Sequence, residues 1–246
     1  MTIPAMALPG VEVRRVARCG STNSVLLAQA PAAPVLLVAD EQTAGRGRRG
    51  RRWIGAPGAS LSFSLARRLR RPLRELAALS LVAGVAAARA LRALGAPAEL
   101  KWPNDLVASG GKLGGILVET RAAGRETLAV VGIGINLRGA DELSRRLRRP
   151  VASLDRFVAV GDGDFILQKI AAALMSAVDA FEAEGFEPAR RDWEAMHAHA
   201  GQRVKVRLAN GRSVTGVATG LGEDGALSLR TRSGIRSIRS GTVRAA

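Results

Sequence analysis

"LGGILVETRAAGRETLAVVGIGINL", Leu113 to Leu137, is the stretch on which the fold turns. Two apolar runs, "LGGILVET" and "LAVVGIGINL", flank Ala122–Glu126, which reads as a turn. The segment is therefore expected to be an antiparallel pair of strands. In "GIGIN" (Gly132–Asn136) one face carries Ile133 and Ile135 for a core, and the other is stripped of side chains until Asn136. That fits either a strand lining a pocket or a bulged edge strand. In the first run Gly114 and Gly115 call for close approach by a ligand or another backbone. Lys112 stands at the entry to that strand, either as a point charge aimed at a carboxylate or phosphate or as a surface hairpin lysine.

Working outward, "VLLVADE" (Val35–Glu41) reads as a buried strand, and the alternating "SLSFSLA" (Ser60–Ala66) as a half-buried one. After Pro72, the positions Leu76, Leu79, Ala83, Ala86, Ala90 and Leu94 recur at helical spacing, and Gly95 stops that helix. "AELKW" is a short strand. Ile166, Ile170, Leu174, Val178 and Phe181 mark one face of a later helix, with a shorter one around Ala189–Met196. After "HAHAG" the turn pairs Asn210-Gly211, Asp224-Gly225 and Ser233-Gly234 separate short strands, the pattern of a small curled β-barrel. The chain is accordingly divided near residue 198, into 1–197 and 198–246.

The 246 residues suffice for one sizeable core and a small second domain. The formal net charge of +16 invites a nucleic-acid partner. Yet arginine supplies nearly all of the positive charge and is spread over the whole chain, as a compositional bias would spread it. Aromatic residues make up 3%, with no tyrosine, which leaves little for base stacking. The bias makes the four lysines (Lys101, Lys112, Lys169, Lys205) informative, because a lysine kept among arginines suits a place that needs a compact ammonium. The single Cys19, the lack of a secretory signal pattern and the absence of an uncharged run of membrane-spanning length lead us to expect a cytoplasmic protein with no membrane role.

Between the two strands lies "TAGRGRRGRRW" (Thr43–Trp53). Gly45-x-Gly47-x-x-Gly50 matches the dinucleotide fingerprint, but that motif must open a helix, and "RRWIGAPGAS" cannot be one. A Walker loop is excluded as well, since Leu113 stands where Ser or Thr must hold magnesium. The remaining readings are a solvated basic loop or an anion-wrapping loop, mobile without ligand and closed by charge neutralisation. "KWPNDL" (Lys101–Leu106) places Asn104 and Asp105 at a strand's carboxyl end, for magnesium or for orienting a basic group, or else makes a turn. "STN" (Ser21–Asn23) suits a helix N-cap that a polar ligand could share. His197 and His199 lack further ligands at zinc spacing. No nucleophile–His–acid set is visible, so the expected chemistry is direct attack on a bound nucleotide.

Taken in order, "STN", "DEQTAGRGRRGRRW", "KWPNDL", "GGKLGGILVE" and "GIGIN" closely resemble the catalytic domain of biotin–protein ligases. The resemblance implies an α+β fold, a mixed β-sheet flanked by helices and related to class II aminoacyl-tRNA synthetases, with a small C-terminal SH3-like β-barrel. It implies activation of biotin by ATP and Mg2+ to biotinyl-5′-AMP, then transfer to a lysine of a biotin carboxyl carrier protein, of acetyl-CoA carboxylase or a related carboxylase. Carried over by motif, Ser21, Thr22, Asn23, Gln42, Gly45, Arg46, Gly47, Arg48, Lys112 and Gly115 would meet biotin. Trp53, Lys101, Asn104, Asp105 and Asn136, together with Arg46, Arg48 and Lys112, would line the ATP region. Lys112, Arg46 and Arg48 would be catalytic, and Asp105 is the candidate magnesium ligand. Only 20 residues precede Ser21, too few for the DNA-binding domain of family members that also repress transcription, so a ligase without a DNA role is expected. The resemblance leaves monomer and homodimer both open. A lipoate or octanoate ligase is the nearest rival, disfavoured by the arginine–glycine loop and the β-rich C-terminus.

Overall fold

The computed structural model describes residues 8–246. The first unit of structure is β1 (Glu12–Cys19), α1 (Thr22–Gln29), β2 (Val35–Gln42). There follow β3 (Ser60–Leu69), α2 (Leu79–Ala93), β4 (Glu99–Lys101), β5 (Asp105–Ala108), β6 (Gly111–Ala123) and β7 (Glu126–Asn136). Helices α3 (Ala140–Leu147), α4 (Asp164–Glu184) and α5 (Glu187–Ala195) come next. The strands form one sheet in the order β1-β2-β3-β7-β6-β5-β4. Only β1 and β2 are parallel, joined through α1; every other neighbour is antiparallel. The hairpin read from Leu113–Leu137 is β6 and β7, closed where Ala123 opposes Glu126.

Strand parity divides the core. Leu36, Val38, Phe63, Leu65, Val131 and Ile133 share one core with the layer of α2, α4 and α5, in which α2 packs on both other helices. Val35, Leu37, Ala66, Leu128 and Val130 face α1. With Glu75–Ala78, the apolar α2 forms a 19-residue stretch, two thirds buried, that is the central helix of this layer. Because both faces of β3 are covered, "SLSFSLA" is not half-buried as its alternation suggests: Ser62 and Ser64 are 5% and 0% exposed. Three elements were invisible in the sequence: β1, α3 and the four-residue β5. β1 alternates loosely and lies at a sheet edge, and α3 is polar on nearly every side with only Ala140 buried.

Two further stretches link the strands around the cleft. "KWPNDL" takes the turn, the second of its two readings. Lys101 opposes Asp105, so Trp102–Asn104 is the tight link of the β4–β5 hairpin and includes a cis Trp102–Pro103 bond. The arginine–glycine segment is folded. Arg46 and Arg52 bridge at its neck, Gly47 N donates to Arg51 O (2.7 Å) and Trp53 N to Gly45 O (2.9 Å), and Arg48–Gly50 is a single 3-10 turn. Like charges are tolerated there because the side chains diverge to separate acceptors.

The last strands, β8 (Arg203–Arg207), β9 (Ser213–Leu221), β10 (Leu227–Thr231), β11 (Gly234–Ile238) and β12 (Thr242–Ala245), make an antiparallel SH3-like sheet in the order β11-β10-β9-β8-β12. It is an open sheet rather than the closed barrel expected, since β11 and β12 are its edges and do not pair. Two contacts tie it to the larger sheet: Trp102 Nε1 donates to Gly225 O (3.1 Å), and Leu100 pairs with the chain just ahead of β8 through Met196 O and Ala198 N.

Candidate active site

The cleft grows out of the register of three strands on the α1 face. Ser62 opposes Gly134, Gly134 opposes Gly115 and Gly115 opposes Asp105; one step along, Ser64 opposes Gly132 and Gly132 opposes Leu117. Rows of serine and glycine leave a floor of bare sheet beyond the N-terminus of α1, and a cleft of about 500 Å³ lies over it. The missing side chains are required. A Cβ on Gly132 would sit 2.3 Å from Asn23 Oδ1, and one on Gly134 would sit 2.4 Å from Trp53 Cε2.

One half of the cleft is neutral and polar. Ser21 caps α1, and Thr22 N, an orphan donor of its first turn, gives its hydrogen to Gln42 Oε1 (2.8 Å). Ser64 Oγ lies 2.6 Å from both Thr22 Oγ1 and Asn23 Oδ1. A hydroxyl has one hydrogen, so this spacing is satisfied when Ser64 donates to Asn23 and accepts from Thr22. Asn23 Nδ2 in turn donates to Leu117 O (3.2 Å) and Glu119 Oε2 (3.0 Å). Glu119 also receives Arg46, whose other nitrogen donates to Ser24 Oγ (2.9 Å). Thus "STN" is both helix cap and cleft wall, as its side chains allow.

The other half is cationic. Arg48, Arg51, Lys101, Arg148, Arg149 and Arg244 line it, and the one carboxylate among the lining residues is Asp105. Several arginines elsewhere are paired: Arg15 with Asp40 and Asp164, Arg67 with Asp179, Arg89 with Asp192. Among the described residues, Arg48, Lys101, Arg148, Arg149 and Arg244 take part in no ion pair. Burial, with Arg49 and Arg51 close by, pulls the Arg48 guanidinium below its ordinary pKa, against Asp105. Burial does the same to Lys101, opposed by Asp105 and reinforced by Lys112, Arg149 and Arg244. Partly desolvated positive charge of this kind is relieved by a bound anion.

Lys112 stands where the halves meet. Its ammonium pairs with Asp105 and lies against bare Gly115, where a Cβ would come within 3.1 Å of Nζ. Its backbone is pinned on both sides: Lys112 N to Pro150 O, Ala152 N to Lys112 O. Asn136 Nδ2 donates to Lys112 O (3.0 Å) and Ala152 O (3.1 Å), so this buried amide positions the lysine strand. Asn104 acts likewise on β6, through Nδ2 to Ile116 O (2.6 Å). Trp53 Nε1 is buried without a partner among the described residues, a donor left for an incoming acceptor. Gly45 keeps the loop neck closed, since a Cβ there would lie 2.7 Å from Trp53 O.

The structure therefore assembles Ser21, Thr22, Asn23, Gln42, Arg46, Gly47, Arg48, Trp53, Lys101, Asn104, Asp105, Lys112 and Gly115 around one cleft. Gly45 lies at the neck, and Asn136 lines an adjoining slot with Trp53, Leu143 and Leu147. Sequence reasoning missed Ser64, Glu119, Arg148, Arg149 and Arg244. Glu119 had a signal: it shares strand parity with Gly115 and Leu117.

A cleft with a neutral polar end, a cationic end and one lysine between them is the architecture of a protein that joins a carboxylic acid to a nucleotide. Residues 16–136 match the biotin/lipoate A/B protein ligase family and residues 199–244 the biotin protein ligase C terminal domain. The chain belongs to that ligase family. It is 37% identical over 224 residues to a biotin–[acetyl-CoA-carboxylase] ligase of Mycobacterium tuberculosis, covering 87% of this chain and 81% of the relative. The same-named protein of Paracoccus denitrificans is 35% identical, over 93% of this chain and 98% of the relative. Among solved structures, a biotin protein ligase from Aquifex aeolicus in complex with biotin and ATP superposes with a TM-score of 0.82 at 28% identity, over 96% and 99% of the two chains.

Proposed function

We propose that this protein is an ATP-dependent biotin–protein ligase, which converts biotin and ATP to biotinyl-5′-AMP and pyrophosphate and then passes biotin to a lysine of a carboxylase carrier protein. The observation that carries the reading is the division of the cleft. The ureido head of biotin needs donors and acceptors, and Thr22, Asn23, Gln42 and Ser64 present them over a glycine floor. A dithiolane such as lipoate's offers those groups no strong hydrogen-bond partner. The valeryl carboxylate then reaches Lys112, and the triphosphate lies among Arg48, Lys101 and their neighbours.

Two anions must approach for the carboxylate oxygen to attack the α-phosphorus. Lys112, released from Asp105, lowers their repulsion and stabilises charge on the α-phosphate oxygens as pyrophosphate leaves. The mixed anhydride is shielded from water by the folded loop, held by Arg46 on Glu119. In the second step the carrier amine attacks the acyl carbon and AMP departs. Magnesium would enter with the nucleotide. Asp105 is the carboxylate within reach, and phosphate oxygens and water would complete a sphere of the kind Mg2+ prefers; among the described residues no cluster of three His, Cys, Asp or Glu forms a separate metal site. We assign residues 1–197 to catalysis and 198–246 to the small domain. A free Cys19 accords with work in the cytoplasm.

The test is incubation with ATP, magnesium and a carboxyl carrier domain, with biotin in one arm and lipoate in the other, read by intact mass. A biotin-sized gain on a single carrier lysine is expected. A lipoyl gain, or no gain in either arm, overturns the assignment.

A further inference from the structure

We propose that Ser240 and Thr242 of the C-terminal sheet are positioning residues that latch the arginine–glycine loop over the acyl-adenylate. The inference rests on the ligase reading of the cleft. Arg49 Nη2 donates to Ser240 Oγ at 2.7 Å, and Arg51 Nη2 donates to Thr242 Oγ1 at 3.0 Å. These contacts join segments about 190 residues apart, with a separation of 191 in each case.

The loop needs an external hold. Its neck has close backbone bonds, but the tip has a single long one, Arg51 N to Arg48 O at 3.3 Å. Arg49 and Gly50 are successive left-handed residues (φ 58° and 71°), a strained turn for the non-glycine member. Arg49 and Arg51 also repel the partly buried Arg48 beside them. Drawing those two guanidiniums onto hydroxyls fixes the tip with Arg48 in the cleft. The anchor is firm. Gly241, between the two hydroxyl residues, is packed so closely that a Cβ would lie 2.4 Å from Val206 Cγ1 and 3.6 Å from Trp102. Val243 pairs with Val206 in β8.

The chemistry of the acceptors matters. A carboxylate at either position would neutralise the loop and compete with phosphate for it. A hydroxyl holds geometry while leaving the full positive charge for the nucleotide. It also makes the hold reversible, as entry of substrates and departure of product require.

The test uses the full chain with ATP, magnesium, biotin and serum albumin as bystander. Albumin biotinylation is read per adenylate formed. In the Ser240→Ala/Thr242→Val protein this ratio rises about five- to thirty-fold, the range two exposed hydrogen bonds supply, and Ser240 with Thr242→Ser restores the wild-type ratio. Arg49→Ala adds nothing further to Ser240→Ala, because each removes the same bond. Trypsin also cuts the Arg46–Arg52 segment of the ligand-free double variant faster than that of wild type. An unchanged ratio and an unchanged cleavage rate in a folded double variant overturn the latch while leaving the ligase reading intact. A wild-type protein that forms no biotinyl-adenylate overturns the ligase reading, and the cleavage rates then still decide whether the hydroxyls hold the loop.

Discussion

Lys112 pairs with Asp105 and lies against Gly115 where the two halves of the cleft meet, and this sets what its loss does. Lys112→Ala should lower biotin-dependent pyrophosphate release by about 10²–10³-fold, the usual cost of one lost donor to developing charge, with the melting temperature held. Wild-type release from the folded variant would remove Lys112 from the chemistry. Lys112→Arg should also fail, since a planar fork does not fit against Gly115 where the ammonium sits. Arg48→Gly should leak adenylate and label bystander lysines, which avidin blotting would detect; labelling no greater than wild type would shift the sealing role to Arg46. Lys112 was legible in the sequence because arginine so outnumbers lysine. Glu119 was legible only in part: strand parity with Gly115 and Leu117 puts it on the cleft face, but nothing local to "GILVE" says that Arg46, 73 residues earlier, comes to meet it.

On the scale of strands, two glycines in neighbouring positions should behave differently. Gly132→Ala pushes on Asn23, a side chain that can be displaced at the expense of its bonds to Leu117, Glu119 and Ser64. The expected result is a KM for biotin raised roughly tenfold, the equivalent of about one lost hydrogen bond, with kcat less affected. Gly114→Ala instead meets the Gly134 carbonyl at 2.6 Å, main chain that cannot yield. It should cost about 1–3 kcal/mol of stability, as overpacking does, seen in the denaturant midpoint. Equal effects of the two changes on KM would contradict the parity assignment. The β6–β7 hairpin was readable because apolar runs and turn agreed. β1 was not: "EVRRVARC" exposes much of its length and gains its place only from the parallel partner β2.

Across the whole molecule the excess of arginine divides into two populations that composition cannot separate. Some surface arginines find acids far away in the sequence, such as Arg15 with Asp164 and Arg70 with Glu126, whereas Arg48, Arg148, Arg149 and Arg244 gather in the cleft and, among the described residues, take part in no ion pair. Only the tertiary fold reveals which is which. The join between the two sheets also carries a pH dependence. His197 is buried beside Trp193 with Nε2 unpartnered among the described residues, and burial, then His199, lowers its pKa from 6.5 to about 4. The unfolded chain therefore binds a proton that the folded chain refuses. Stability from this group is full above pH 6.5 and is lost as pH falls towards 4, by an amount on the order of 3 kcal/mol. His197→Gln should flatten that slope in thermal melts taken between those limits, and an unaltered slope would acquit the residue. Removal of Gly201–Ala246 should impair ligation more than biotin binding. It strips the acceptor from Trp102 Nε1 and the hydroxyls from the loop, yet leaves the neutral half of the cleft in place. A soluble truncation that ligates normally would make the small sheet dispensable.

The glycine floor limits how the protein can change its ligand. Where a pocket is lined by side chains, a larger guest is admitted by trimming one of them. Here Gly115, Gly132 and Gly134 have nothing left to trim, so every substitution along that row adds bulk. The main chain itself sets the depth of the site. Room for a bulkier acid must come from the side chains around these glycines, such as Leu117 or Trp53, and drift at the glycines themselves runs in one direction, towards smaller guests or none.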